Sequence, residues 1–150
     1  RQVPWTGSLL LMALRYLLDT NVISEAIGPN RNPGVVEGLR RHWQTIATAS
    51  VVWCELLYGV QRLPSGSRRS VIEDYLRGFV AETIPVLSYD ASAAEWHAAE
   101  RVRLARAGTV APFVDGQIAA TAAVNRLVLV TANVADFRRF SGLRTENWRT

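Results

Sequence analysis

The chain contains no lysine: all 17 of its basic side chains are arginines. That absence excludes chemistries built on a lysine amine, among them phosphate-loop nucleotide binding, Schiff-base catalysis, the kinase strand lysine and Ser-x-x-Lys hydrolysis. A single cysteine, Cys54, rules out a disulfide framework and a cysteine-rich zinc site, and it reads as a small buried hydrophobe. Neither Gly-x-Ser-x-Gly nor Gly-x-Gly-x-x-Gly occurs, so a hydrolase nucleophile elbow and a dinucleotide fingerprint are both unsupported. His42 and His97 stand outside any His-Glu-x-x-His spacing and read as surface or interfacial residues. The segment Ser8 to Leu18 is about half the length of a spanning helix and carries Arg15. The chain therefore reads as a soluble cytoplasmic protein. Residues 1–11, ahead of the lone methionine Met12, read as a leader, an appended segment or a misassigned start, with 12–150 as one domain.

What is present is ordinary globular material, 150 residues with 49% hydrophobic and 20% charged. The arginines outnumber 13 acids for a net charge of +4, which favours an anionic partner. Hydrophobic periodicity and turn residues predict an alternation of strands and helices. Strands are expected at Leu14 to Leu18, Thr45 to Ala49, Thr83 to Leu87 and Leu127 to Thr131, with an edge strand at Arg144 to Asn147. Helices are expected from Ser24 to Gly28, Val35 to Trp43, Val51 to Arg62, Ser70 to Ala81, Asp90 to Ala107 and Pro112 to Val124. Such alternation implies a parallel sheet covered on both faces, whose functional groups gather at the carboxyl ends of the strands.

Four carboxylates fall at or near those ends. Asp19 follows the first strand and Asp136 the fourth, while Asp115 lies in the first turn of the last long helix. Glu55 is the only charge in Val51 to Gly59, so it either points out of an apolar cylinder or is buried with a partner. Singly, each acid fits a cap or loop role. Jointly, unpaired acids at one sheet edge would repel one another, and a divalent cation with hard oxygen preference, Mg²⁺ or Mn²⁺, resolves that repulsion.

The blocks Leu17-Leu18-Asp19-Thr20-Asn21-Val22-Ile23-Ser24, Glu55-Leu56-Leu57-Tyr58-Gly59, Asp115-Gly116-Gln117-Ile118-Ala119-Ala120-Thr121-Ala122 and Thr131-Ala132-Asn133-Val134-Ala135-Asp136-Phe137 occur in this order. Together they resemble the PIN-domain ribonucleases of the VapC toxin type, over about Leu14 to Trp148. The resemblance implies a three-layer α/β/α sandwich with a helical hairpin, Mg²⁺ or Mn²⁺ as cofactor, RNA (tRNA among the usual targets) as substrate, a VapB-type antitoxin and a homodimer. It also implies that Asp19 and Asp115 are the principal metal ligands, completed by Glu55 and Asp136, with Thr20 and Asn133 orienting them. Ala132 departs from the pattern, since many relatives carry arginine there, and this puts in doubt any phosphate contact from that position. Arg101, Arg103, Arg106, Arg138, Arg139 and Arg144 read individually as solvated faces, some of them candidates for phosphate contacts along an RNA groove, and Trp53, Leu57 and Tyr58 read as core packing or a dimer surface.

The function expected is metal-dependent RNA hydrolysis in a toxin–antitoxin module; the 5′-phosphate and 3′-hydroxyl products are implied by the resemblance. The alternative is a silent module of the same fold that binds nucleic acid or protein. A haloacid-dehalogenase-type phosphotransferase is disfavoured because residue 21 is asparagine, which breaks its Asp-x-Asp start, and because that chemistry needs a lysine. With the four acids set aside as a metal site, 17 arginines face nine acids elsewhere, a negative pit in a positive surface.

Overall fold

The computed structural model describes residues 13–150, so the expectation for residues 1–11 lies outside the described residues. Five parallel strands, β1 (Tyr16–Leu18), β2 (Ile46–Ala49), β3 (Val86–Leu87), β4 (Val128–Val130) and β5 (Thr145–Glu146), form one sheet in the order β3-β2-β1-β4-β5. The helices flanking it are α1 (Thr20–Ile27), α2 (Pro33–His42), α3 (Ser50–Gln61), α4 (Ser67–Tyr75), α5 (Ala81–Thr83), α6 (Ala91–Arg106), α7 (Phe113–Val124) and α8 (Val134–Phe137). A π-helical segment, Leu76–Val80, joins α4 to α5 and buries Leu76 and Val80. Among the described residues no helix is long and apolar enough to cross a membrane.

The expected three-layer α/β/α architecture is the one observed. Leu17, Leu18, Ala47, Ala49, Leu129 and Val130 are fully excluded from solvent, as strands covered on both faces require. Strand order reverses beside β1, where chain continuity runs to β2 on one side and β4 pairs on the other, and a crevice at the carboxyl ends is the usual ligand site of such sheets.

Several boundaries differ from expectation for local reasons. α1 starts at Thr20 rather than Ser24, because the Asp19 carboxylate caps it by accepting from the Thr20 amide at 2.8 Å. The third strand begins at Val86, since Thr83 closes the preceding helix with its hydroxyl donating to the Phe79 carbonyl at 2.7 Å. α4 begins at Ser67, three residues early, and α8 was not expected at all. Cys54 is exposed rather than buried: the inward stripe of α3 is Val52, Leu56 and Val60, and Cys54 falls between its rows.

His97 is buried, not superficial. It lies on the inner stripe of α6 with Ala93, Glu100 and Leu104, and its Nδ1 meets the Tyr89 hydroxyl at 2.8 Å. Burial, with a lesser contribution from Arg101, holds its pKa below the usual histidine range, so the ring is neutral at pH 7. His42 is half-buried in a ring cluster with Tyr16 and Trp148.

The α6–α7 contact sets the depth of α7 and so the height of Asp115, one residue before Gly116. α7 is lined with Gly116, Ala119, Ala120 and Ala122 on buried positions, which allows close approach. A Cβ at Gly116 would collide with the His97 ring. Gly116→Ala is therefore expected to cost about 1–3 kcal/mol through overpacking, read as a lowered midpoint in urea unfolding.

Candidate active site

The register explains how distant residues become neighbours. Leu18 of β1 stands opposite Val130 of β4, so the residues that follow, Asp19 and Thr131, emerge side by side. The Asp19 amide donates to the Val130 carbonyl at 2.9 Å, and the Thr131 hydroxyl donates to Asp19 Oδ2 at 2.8 Å. Asn21 Nδ2 donates to the same oxygen at 3.2 Å, while Asn21 Oδ1 accepts from the Ala132 amide at 3.0 Å. Asn21 thus pins the turn after β4 to the start of α1. Asp19 is 5% exposed, and its pKa is raised, first by burial and further by the charge of Glu55, against the lowering effect of these donors.

Glu55 is delivered by α3, which starts directly after β2 at the same edge. It is exposed, which settles its orientation: it points out of the apolar helix, and its Oε1 accepts from the Thr20 hydroxyl at 2.6 Å. Asp115, half-buried in the first turn of α7, has its pKa raised by burial, then by the charges of Asp19 and Asp136 and, less strongly, of Glu55. Arg139 opposes that rise. Asp136 sits in the first turn of α8, its amide donating to the Asn133 carbonyl at 3.0 Å. The four acids from four parts of the chain therefore form one electrostatically coupled group.

Of the two expected orienting residues, Thr20 holds Glu55. Asn133 contributes backbone only: its amide donates to Thr131 Oγ1 at 3.0 Å, and among the described residues its side chain reaches none of the four carboxylates. Asn21 and Thr131 hold Asp19 and were missed. The only sequence signal for them is their place in the Asp19-Thr20-Asn21 and Thr131-Ala132-Asn133 blocks, which have no evident tie until β1 and β4 are known to pair.

A match to the PIN domain model spans residues 16–143. The chain belongs to the PIN-domain family. It is 38% identical over 136 residues to the tRNA(fMet)-specific endonuclease VapC of Shigella flexneri, an alignment covering 90% of this chain and 98% of that protein. Among solved structures it resembles FitAcB from Neisseria gonorrhoeae, with a TM-score of 0.82, 29% identity and coverage of 88% of this chain and 96% of that one. It also resembles DNA-bound VapBC from Salmonella typhimurium, with a TM-score of 0.77, 30% identity and coverage of 90% and 98%. This PIN domain is thus of the VapC type.

The donor set suits a hard divalent cation. Among the described residues no three of the acids close up tightly enough to cage an ion unaided. Mg²⁺ does not need such a cage, because it keeps several waters and uses one or two carboxylates. A half-open group of coupled acids, one of them buried and rigidly oriented by three donors, fits that habit.

A fifth acid, Glu100, belongs to the scaffold of this PIN domain. It is 6% exposed and accepts from Arg103 Nε and Nη2, each at 2.9 Å, and from the Ser141 amide and hydroxyl, each at 2.8 Å. Arg103 Nη2 also donates to the Arg139 carbonyl at 2.7 Å, which commits this arginine to structure rather than to a groove. The bonds from Arg103 and, next, from Ser141 pull the Glu100 pKa down to about 2. Unfolding returns it to its ordinary value near 4.5. The stabilisation is therefore complete above that range and is lost as pH falls toward 2. Glu100→Gln is expected to cost about 2 kcal/mol at neutral pH, with the gap to wild type narrowing in urea titrations as the pH is lowered to about 3.

Proposed function

We propose that this PIN domain is a divalent-metal-dependent endoribonuclease, the toxin partner of a toxin–antitoxin pair. The observation that carries this reading is the convergence of Asp19, Glu55, Asp115 and Asp136 into a coupled acidic group at one edge of the sheet. The ribonuclease and endonuclease names of its relatives agree with it. A bound Mg²⁺ or Mn²⁺ would supply a polarised water and offset charge on the phosphodiester.

Asp19 and Asp115 are the residues that would hold the cation, with Glu55 and Asp136 completing its surroundings directly or through water. The chain's own work is positioning. Thr131, Asn21 and the Thr20 amide lock both oxygens of Asp19, and the Thr20 hydroxyl fixes Glu55, so little reorganisation is left for the moment of reaction. Hydrolysis leaves a 5′-phosphate and a 3′-hydroxyl. The tRNA(fMet)-specific relative makes tRNA the first substrate class to test.

An apolar groove of about 390 Å³, lined by Ile23, Ala26, Leu39, Trp43, Tyr75 and Phe79, is formed by residues of α1, α2, α4 and the π-helical segment. Trp43 is 61% exposed and Phe79 52%. This groove is the surface offered to a VapB-type antitoxin, in keeping with the VapBC complexes among the structural relatives. Trp53 and Leu57 are half-buried against the core, while Tyr58 is 64% exposed with the Arg62 guanidinium over its ring, which leaves that face of α3 for a homodimer contact.

Asp19→Asn or Asp115→Asn is expected to lower RNA cleavage at least about 100-fold while the circular-dichroism spectrum stays native. Excess EDTA should do the same to the wild type, and end mapping should return 5′-phosphates. Full activity in both variants or in EDTA, or 2′,3′-cyclic ends, contradicts the mechanism.

A further inference from the structure

A site that gathers four carboxylates and then receives a polyanion needs positive charge of its own. The chain has no lysine, so that charge has to come from arginine. Among the described residues Arg139 is the arginine in ion-pair range of one of the four carboxylates, Asp136. Its Nε donates to the Asp136 carbonyl at 2.7 Å and its Nη1 to the Val110 carbonyl at 3.4 Å. Both acceptors are neutral carbonyls that orient the guanidinium, while its charge is shared with the Asp136 carboxylate in a loose ion pair. Nη2 lies 3.8 Å from Asp136 Oδ1, outside hydrogen-bond range, and of five N–H groups three make no hydrogen bond among the described residues.

The main chain carrying Arg139 is held as firmly as the site itself. Its carbonyl accepts from Arg103, which is forked onto buried Glu100, and Glu100 also grips the Ser141 amide and hydroxyl. Phe137 and Phe140 pack on either side in sequence, with Trp96 against Phe140. The side chain remains 27% exposed, so the anchored fork has an open side. Arg138, its neighbour, is exposed and has no comparable tether among the described residues.

We propose that Arg139 is a substrate-binding catalytic residue of this site, donating two N–H groups to non-bridging oxygens of the scissile phosphodiester. The assignment rests on the endoribonuclease reading. A planar fork matches a pair of phosphate oxygens, and an ammonium does not. Charge develops on those oxygens as the phosphate is attacked, so a donor fixed beforehand binds the transition state more strongly than the ground state.

The test is single-turnover cleavage of unfractionated tRNA in Mg²⁺ by the full chain, wild type against Arg139→Ala, Arg139→Lys and Asp19→Asn. Arg139→Ala should lower the rate at saturation by about 100-fold with KM changed only a few-fold, and Arg139→Lys should recover part of the rate. Salt titrations of tRNA binding, made in the Asp19→Asn background, should show a slope shallower by about 0.7 when Arg139 is also removed, the loss of one phosphate contact. A merely structural tie predicts a lower unfolding midpoint with an unchanged rate per folded molecule and an unchanged salt slope, and that result overturns the assignment. Cleavage that depends on Asp19 but survives Arg139→Ala overturns it alone; cleavage indifferent to Asp19 overturns the nuclease reading and this assignment with it.

Discussion

Everything at this sheet edge turns on carboxylates held where water cannot fully solvate them, with their mutual repulsion added to the cost of burial. Asp19 and Asp115 both sit above the ordinary aspartate pKa, burial being the largest cause in each. In their ionised form at neutral pH they therefore subtract from stability, and the cost disappears only when protons, or a cation, neutralise them. The fold limits that cost with oriented dipoles: the amide of Thr20 and the hydroxyl of Thr131 on Asp19, and the first turn of α7 behind Asp115. Stability given up at a site of this kind is the usual signature of function over folding.

The same fold shows two opposite uses of a buried acid. Glu100 is as buried as Asp19, yet its four donors drive its pKa down to about 2, and it stabilises the fold. Asp19 also has donors, but they do not overcome burial and the neighbouring charge of Glu55. The difference is a bidentate arginine. Where the chain supplies Arg103 the carboxylate is structural; where it leaves acids facing one another their charge is not neutralised from within the chain. Spatial separation of these roles lets a net charge of only +4 contain both a cluster of mutually repelling acids and a buried acid neutralised by its own arginine.

Much of this could be read before any coordinates. The β1 run Leu17-Leu18 ending at Asp19, the strand Leu129-Val130 and the solitary charge of Glu55 in an apolar helix carry strong local signals, and the alternation of elements implies the parallel sheet. What stayed hidden depends on pairing. Nothing local marks Thr131 as a donor to Asp19, because the two are 112 residues apart and meet only through the β1–β4 register. His97 and Glu100 were opaque because polar residues on the inward stripe of α6 defeat an apolar-periodicity argument, and each is admitted there by a partner from elsewhere, Tyr89 or Ser141. Cys54 was misplaced because α3 is apolar nearly all round, so composition alone does not identify its buried face.

The central claim is that the acidic group is a cost to the fold which a divalent cation removes. Thermal unfolding of the wild type and of Asp115→Asn, in EDTA and then in Mn²⁺, measures it directly. The account predicts that in EDTA the asparagine variant melts a few degrees above the wild type, about what relief of one repelling charge would give, and that Mn²⁺ raises the wild type but not the variant. An asparagine variant that melts at or below the wild type in EDTA, with Mn²⁺ shifting both proteins equally or neither, would contradict it.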